Sequence, residues 1–151
     1  MGRRSPPVTV LFVRHAVAKD RHQWDDDDEL RPLIKRGHDQ AAALVDQLHD
    51  YAIDRVLSSP SVRCVDTVVP LAAARGLEVG IEDALAEGNG RKAVKLVDRL
   101  LEDGADVALC SHGDVIPDVL HAFGLRWDKC AKASTWVLRS RSDATYLSPP
   151  A

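Results

Sequence analysis

The chain predicts an α/β fold in which a mostly parallel central sheet lies between two layers of helices. Three observations carry that expectation. Short strand-like apolar runs alternate with stretches of helical spacing along most of the length. Each helical stretch carries a single apolar face, as a helix laid on a sheet requires. The composition, 45% hydrophobic and 28% charged over 151 residues, suits one globular core rather than a disordered or membrane-embedded chain. One domain over 1–151 is expected, with the Pro-bearing tails 1–7 and 148–151 flexible.

The first strand is Val8–Val13, an unbroken apolar run that stops at Arg14-His15-Ala16. A polar loop then runs from Ala16 to about Arg31 and contains Asp25-Asp26-Asp27-Asp28-Glu29. Such a run reads first as a solvated loop. The sharper alternative is that it rims the first histidine's pocket and repels polyanions. Lys35–Tyr51 reads as a helix with Ala41, Leu44, Val45 and Leu48 on one face. Arg55–Ser58 is a strand, followed by a helix whose expected apolar face is Val62, Val65, Val69 and Ala72. Glu78–Ile81 is a weaker strand. Lys92–Leu101 repeats the helical spacing through Ala93, Leu96, Val97 and Leu100. The run Val107–Cys110 stops at Ser111-His112-Gly113, and a helix with Val115, Ile116, Val119, Leu120 and Phe123 follows it. Thr135–Arg139 and Ala144–Leu147, separated by Ser140-Arg141-Ser142-Asp143, suggest a hairpin closing the sheet.

A net charge of −3 argues against nucleic acid as a partner. Val8–Val13 is too short for a membrane span or signal peptide, so no membrane association is expected. Cys64, Cys110 and Cys130 are widely spaced, with no C-x-x-C pair and no zinc-like histidine spacing, so a reducing cytoplasm is the natural reading; Cys64 and Cys110 read as buried structural thiols. Neither metal nor cofactor is expected.

The chemistry sits where strands end, which is where open α/β sheets build their sites. His15 follows Arg14 directly, so one can enter a pocket while the other's guanidinium grips an oxygen in fork geometry. Arg63 falls in the first turn of the helix after Ser58-Ser59-Pro60, where free N–H groups also favour an anion. His112 stands at the equivalent place before the next helix, with Gly113 allowing close backbone approach. A nucleophile, cations for the equatorial oxygens and a proton donor are what phosphoryl transfer needs. For the donor, Glu82, Asp83, Glu87 and Asp114 are all acids near strand ends, and the residues alone do not rank them. His22, His38, His49 and His121 match no pattern and read as surface or packing histidines.

In sum of motifs the chain resembles the histidine phosphatase superfamily related to phosphoglycerate mutase. Arg14-His15-Ala16 is similar to its Arg-His-Gly motif, and Leu33-Ile34-Lys35-Arg36-Gly37-His38-Asp39-Gln40-Ala41 to its Leu-Thr-x-x-Gly-x-x-Gln-Ala helix start. The segment from Val56 to Thr67 resembles Ser-Ser-Pro-x-x-Arg-x-x-x-Thr, Leu85-Ala86-Glu87 the Leu-x-Glu that carries the family's acid, and Ser111-His112-Gly113 its second histidine. The short length and Leu30-Arg31-Pro32-Leu33 are most similar to the SixA-type phosphohistidine phosphatases, and Val115-Ile116-Pro117-Asp118 to the phosphatase domain of Nudix fusions.

The resemblance implies a phosphoglycerate mutase-like fold, His15 as the phosphorylated nucleophile, Arg14, Arg63 and His112 as the phosphate cradle, and Glu87 as proton donor; the residues themselves leave Asp114 as the alternative donor. It implies a metal-independent phosphatase for phosphohistidine or a small phosphomonoester, its partner being a phosphorylated small molecule or a phosphohistidine-bearing protein. The alternatives are a nucleotide phosphatase, a mutase, or a phosphate-binding regulatory module without turnover. Two departures stand out: Ala16 replaces the motif glycine, and Ile34 replaces a capping threonine. No long insertion separates Arg63 from Glu87, so an open, shallow site is expected.

Overall fold

The computed structural model describes residues 9–151 and has the expected three-layer α/β/α architecture. The expected tail 1–7 and the strand start at Val8 lie outside the described residues. In chain order the elements are β1 (Val10–Arg14), α1 (Lys35–Gln47), β2 (Arg55–Ser58), α2 (Val62–Ala74), β3 (Val79–Ile81), α3 (Gly90–Glu102), β4 (Val107–Ser111), α4 (Val115–Ala122), β5 (Thr135–Ser140) and β6 (Asp143–Leu147). The sheet runs β3-β2-β4-β1-β5-β6. Its first four strands are parallel, while β5 and β6 form the antiparallel edge hairpin that the sequence suggests.

The apolar strands split two ways because strand side chains alternate between faces. Val10 and Phe12 of β1, Leu57 of β2, and Val107 and Leu109 of β4 pack against α3 and α4 through Ala93, Val97, Val115 and Val119. Leu11, Val13, Val56, Ala108 and Cys110 face the other way, onto Leu44 of α1, Leu48 just past its end, and Cys64, Val68 and Leu71 of α2. The unbroken apolar runs of β1 and β4 therefore reflect strands covered on both faces.

Two helix expectations need correction. Helix α1 stops at Gln47 rather than Tyr51. The Arg75 guanidinium binds the carbonyls of Leu48 and His49 at 3.0 and 3.2 Å, satisfying groups that a further turn would have used. In α2 the buried face is Arg63, Cys64, Thr67, Val68, Leu71 and Ala72, whereas Val69 is 44% exposed. The helix has two apolar stripes of equal spacing, and the one adjoining Arg63 and Thr67 wins because it brings those polar groups to their partners at the sheet edge.

Helix α1 begins without a side-chain cap at Ile34, as the replacement of threonine implies. Its start is secured from the loop after β1 instead. The Ile34 N–H donates to the Val17 carbonyl at 3.1 Å, and the Val17 N–H donates to Gln40 Oε1 at 3.0 Å. Gly37 is required at that contact, since a Cβ there would lie 2.0 Å from the Val17 oxygen.

Candidate active site

The strand order explains how residues 97 positions apart in sequence come together. β1 and β4 are parallel neighbours with Arg14 opposite Ser111, so His15 and His112 leave adjacent strand ends side by side. β2 lies on the far side of β4 with Ser58 opposite Cys110, and β3 next to β2 with Ser58 opposite Ile81. Residues following β3, β2, β4 and β1 thus line up along one edge as Glu87, Arg63, His112 and His15. Helix α1 leaves β1 toward one face and α4 leaves β4 toward the other, which opens a crevice between those strand ends.

His15 and His112 are both buried, their ring centroids 5.6 Å apart and their planes at 65°. His15 Nδ1 is 2.9 Å from the Ala16 carbonyl. A carbonyl only accepts, so Nδ1 carries the proton and Nε2 keeps a lone pair. Burial drives the His15 pKa down to about 3, and the charges of Arg63, His112 and Arg14 push the same way against the Ala16 hydrogen bond. The ring is neutral near pH 7. His112 Nε2 lies 2.8 Å from Ser59 Oγ and 3.6 Å from Cys64 Sγ, while its Nδ1 is buried with no hydrogen-bond partner among the described residues. Ser59 Oγ also accepts from the Ser61 N–H at 3.4 Å, which leaves its own O–H free to donate to Nε2. In that arrangement Nδ1–H is the free donor.

Thr67 joins the two halves of the site. Its hydroxyl donates to the Arg63 carbonyl at 2.7 Å and accepts the Ala16 N–H at 2.9 Å, tying α2 to the loop that carries His15. The Arg14 guanidinium donates to the Cys130 carbonyl at 2.6 Å and lies where a Cβ on residue 113 would stand, 2.6 Å from its Cζ. Gly113 is therefore needed for Arg14 rather than for a turn.

Arg14, His15, Glu87, His112, Gly113 and Asp114 line a single cavity of about 1100 Å³. Arg63 is set behind that wall. It is 1% exposed, with Nη1 donating to the Asp28 carbonyl at 2.8 Å and Nη2 to Asp28 Oδ2 at 3.0 Å. Glu87 Oε2 is 3.6 Å from the same Nη2, and Glu87 Oε1 accepts from Arg21 Nη2 at 3.0 Å. Asp114 instead accepts the Gly88 N–H at 2.9 Å, so it braces the loop bearing Glu87.

The acidic run does not rim the histidine cavity. Asp25, Asp26, Asp27 and Glu29 are exposed, and only Asp28 turns inward. The loop from Ala16 to Arg31 walls one side of the cavity, and its contribution is largely basic: Lys19, Arg21 and Arg31 line the cavity, as do Lys35 and Lys132. The expectation of an uncovered, shallow site is corrected to that extent. Asp28, Ser59 and Arg21 are the site residues that sequence reasoning missed. The acidic run was visible, yet spacing could not say which of five acids faces inward. His22, His38, His49 and His121 are exposed, as expected. Cys64 and Cys110 are buried free thiols and Cys130 is half-buried. Among the described residues no three His, Cys, Asp or Glu side chains gather in a metal-binding group, and no helix is long and apolar enough to cross a membrane.

The sequence profile of the histidine phosphatase superfamily (branch 1) matches residues 10–92. The chain is 37% identical over 163 aligned residues to an 8-oxo-(d)GTP phosphatase of Mycolicibacterium smegmatis; the match takes in 94% of this chain and 48% of that protein. The chain thus spans about half the length of that curated relative. Among solved structures, a protein assigned as phosphohistidine phosphatase SixA from Agrobacterium tumefaciens superposes with a TM-score of 0.79 at 23% identity, over 95% of this chain and 99% of that one. The protein histidine phosphatase SixA in complex with tungstate gives 0.76 at 20% identity, over 94% and 96%. At these identities the likeness is one of fold.

Proposed function

The chain belongs to the histidine phosphatase superfamily, and from that premise we propose a metal-independent phosphatase that works through a phosphohistidine on His15. The observation that carries this reading is the state of the His15 ring. It is neutral, its Nδ1–H is committed to the Ala16 carbonyl, and its Nε2 lone pair is left for attack.

Nε2 attacks phosphorus as the bond from phosphorus to the leaving oxygen or nitrogen breaks. Arg14, Arg63 and the free Nδ1 of His112 hold the equatorial oxygens, where charge develops. Glu87 gives a proton to an alkoxide leaving group. Water then attacks the phosphohistidine with Glu87 taking its proton, the P–N bond breaks, and inorganic phosphate leaves. The two arginines and His112 supply the stabilisation that a divalent ion would otherwise bring.

The substrate is a phosphohistidine or a small phosphomonoester. A narrower reading, a nucleotide, is favoured by the lysines and arginines lining the cavity, which suit further phosphates beyond the reacting one. The curated relative is itself named for a nucleoside triphosphate. Hydrolysis of p-nitrophenyl phosphate tests the chemistry. Turnover should persist in EDTA and disappear in His15→Ala, with acid-labile phosphate trapped on the wild-type chain. Loss of turnover in EDTA, or a His15→Ala rate above about a hundredth of wild type, would overturn it.

A further inference from the structure

We propose that Asp28 is a positioning residue for Arg63, holding the outer end of its guanidinium so that its Nε–H stays free for a phosphoryl oxygen. The inference rests on the reading of Arg63 as a phosphate ligand. Arg63 Nη1 and Nη2 both donate to Asp28, one to its carbonyl and one to its carboxylate, and Nη2 also faces Glu87. Arg63 Nε is buried with no hydrogen-bond partner among the described residues. A guanidinium is a rigid planar fork, so two bonds to one residue set its plane and direction. A buried donor without a partner is costly unless something comes to accept from it, and a phosphoryl oxygen is the group this site is built to receive.

Asp28 is itself held. Its Oδ1 accepts from Arg31 Nε at 3.0 Å and lies 3.6 Å from Arg21 Nε. Arg31 also donates to the Lys19 carbonyl at 2.7 Å, and Asp27 caps the short turn through the Glu29 N–H at 3.1 Å. Burial opposes ionisation of the Asp28 carboxyl, but the hydrogen bond from Arg31 and the charges of Arg63, Arg31 and Arg21 outweigh it and keep its pKa below the ordinary carboxylate range. Three arginines share the carboxylates of Asp28 and Glu87, so the cluster stays net positive toward an incoming phosphate.

The test compares Asp28→Asn, Arg63→Ala and the double variant on p-nitrophenyl phosphate. Asp28→Asn should lower kcat by about tenfold to 100-fold, the upper figure being the scale expected when a catalytic group is misplaced by an ångström, and change KM much less. In the Arg63→Ala background the same substitution should cost less than about twofold, because two residues acting through one guanidinium are not additive. Additive losses, an unchanged kcat, or a raised kcat/KM would each overturn the proposal. A raised kcat/KM would mean that the carboxylate occupies the phosphate's place. If Arg63→Ala alone leaves kcat intact, the reading of Arg63 fails first, and the comparison separates the two. Should Asp28→Asn not fold, Asp28→Glu keeps the charge but shifts the carboxylate by one methylene, and the same loss of kcat and dependence on Arg63 must appear in it.

Discussion

The His15 ring owes its neutrality to burial. Its folded pKa of about 3 lies below the ordinary histidine value of 6.5. Between those values the unfolded chain takes up a proton at His15 and the folded chain does not. The stability linked to this group therefore falls as pH drops from about 6.5 toward about 3 and does not change above 6.5. Urea midpoints followed from pH 7 to pH 4 should drop more steeply for wild type than for His15→Asn; parallel curves would mean that His15 is not a buried neutral base. Glu87 is expected to matter according to the leaving group. Glu87→Gln should slow an alkyl phosphate by roughly 100-fold, the usual scale for general acid catalysis, and slow p-nitrophenyl phosphate and phosphohistidine far less. Equal losses on all three would make Glu87 a structural partner of Arg21 instead.

At the scale of elements, α2 couples packing to the geometry of the candidate site. Its rotation buries Cys64, Val68 and Leu71 on the sheet and in the same movement places Arg63 and Thr67 at the strand ends. Thr67→Val keeps the shape but leaves the buried Ala16 N–H without an acceptor. The expected destabilisation is about 1–3 kcal/mol, measured by urea unfolding. A fall in kcat should accompany it, because the loop bearing His15 loses its tie to α2. A stability loss with kcat unchanged would show that the His15 loop is held by its other bonds, to Ser111 and Ala133.

Across the whole molecule, a net charge of −3 hides a site of opposite sign. The acids of the 25–29 run face solvent or pair with arginines, while Lys19, Arg21, Arg31, Lys35 and Lys132 line the cavity. Attraction of polyanions should therefore be screened by salt, whose reach is about 10 Å at 0.1 M. kcat/KM for a nucleoside triphosphate should fall more steeply with added salt than kcat/KM for p-nitrophenyl phosphate. Equal salt dependence of the two would place those cations outside the substrate's path.

The layers of the fold and most of the residues of the candidate site were legible in the sequence, because both are written in local patterns. Unbroken apolar runs mark β1 and β4, helical spacing marks α1 and α3, and the residues where the runs stop are Arg14, His15 and His112. The rest depends on contacts between segments distant in the chain. The order β3-β2-β4-β1 sets His15 beside His112. The choice between two equal apolar stripes on α2 was settled by what Arg63 and Thr67 meet, and the one inward acid among five by three arginines converging from separate positions. Periodicity reports which face of an element is apolar, but a hydrogen bond between Asp28 and Arg63 leaves no period in either segment, and only the folded chain brings them within reach.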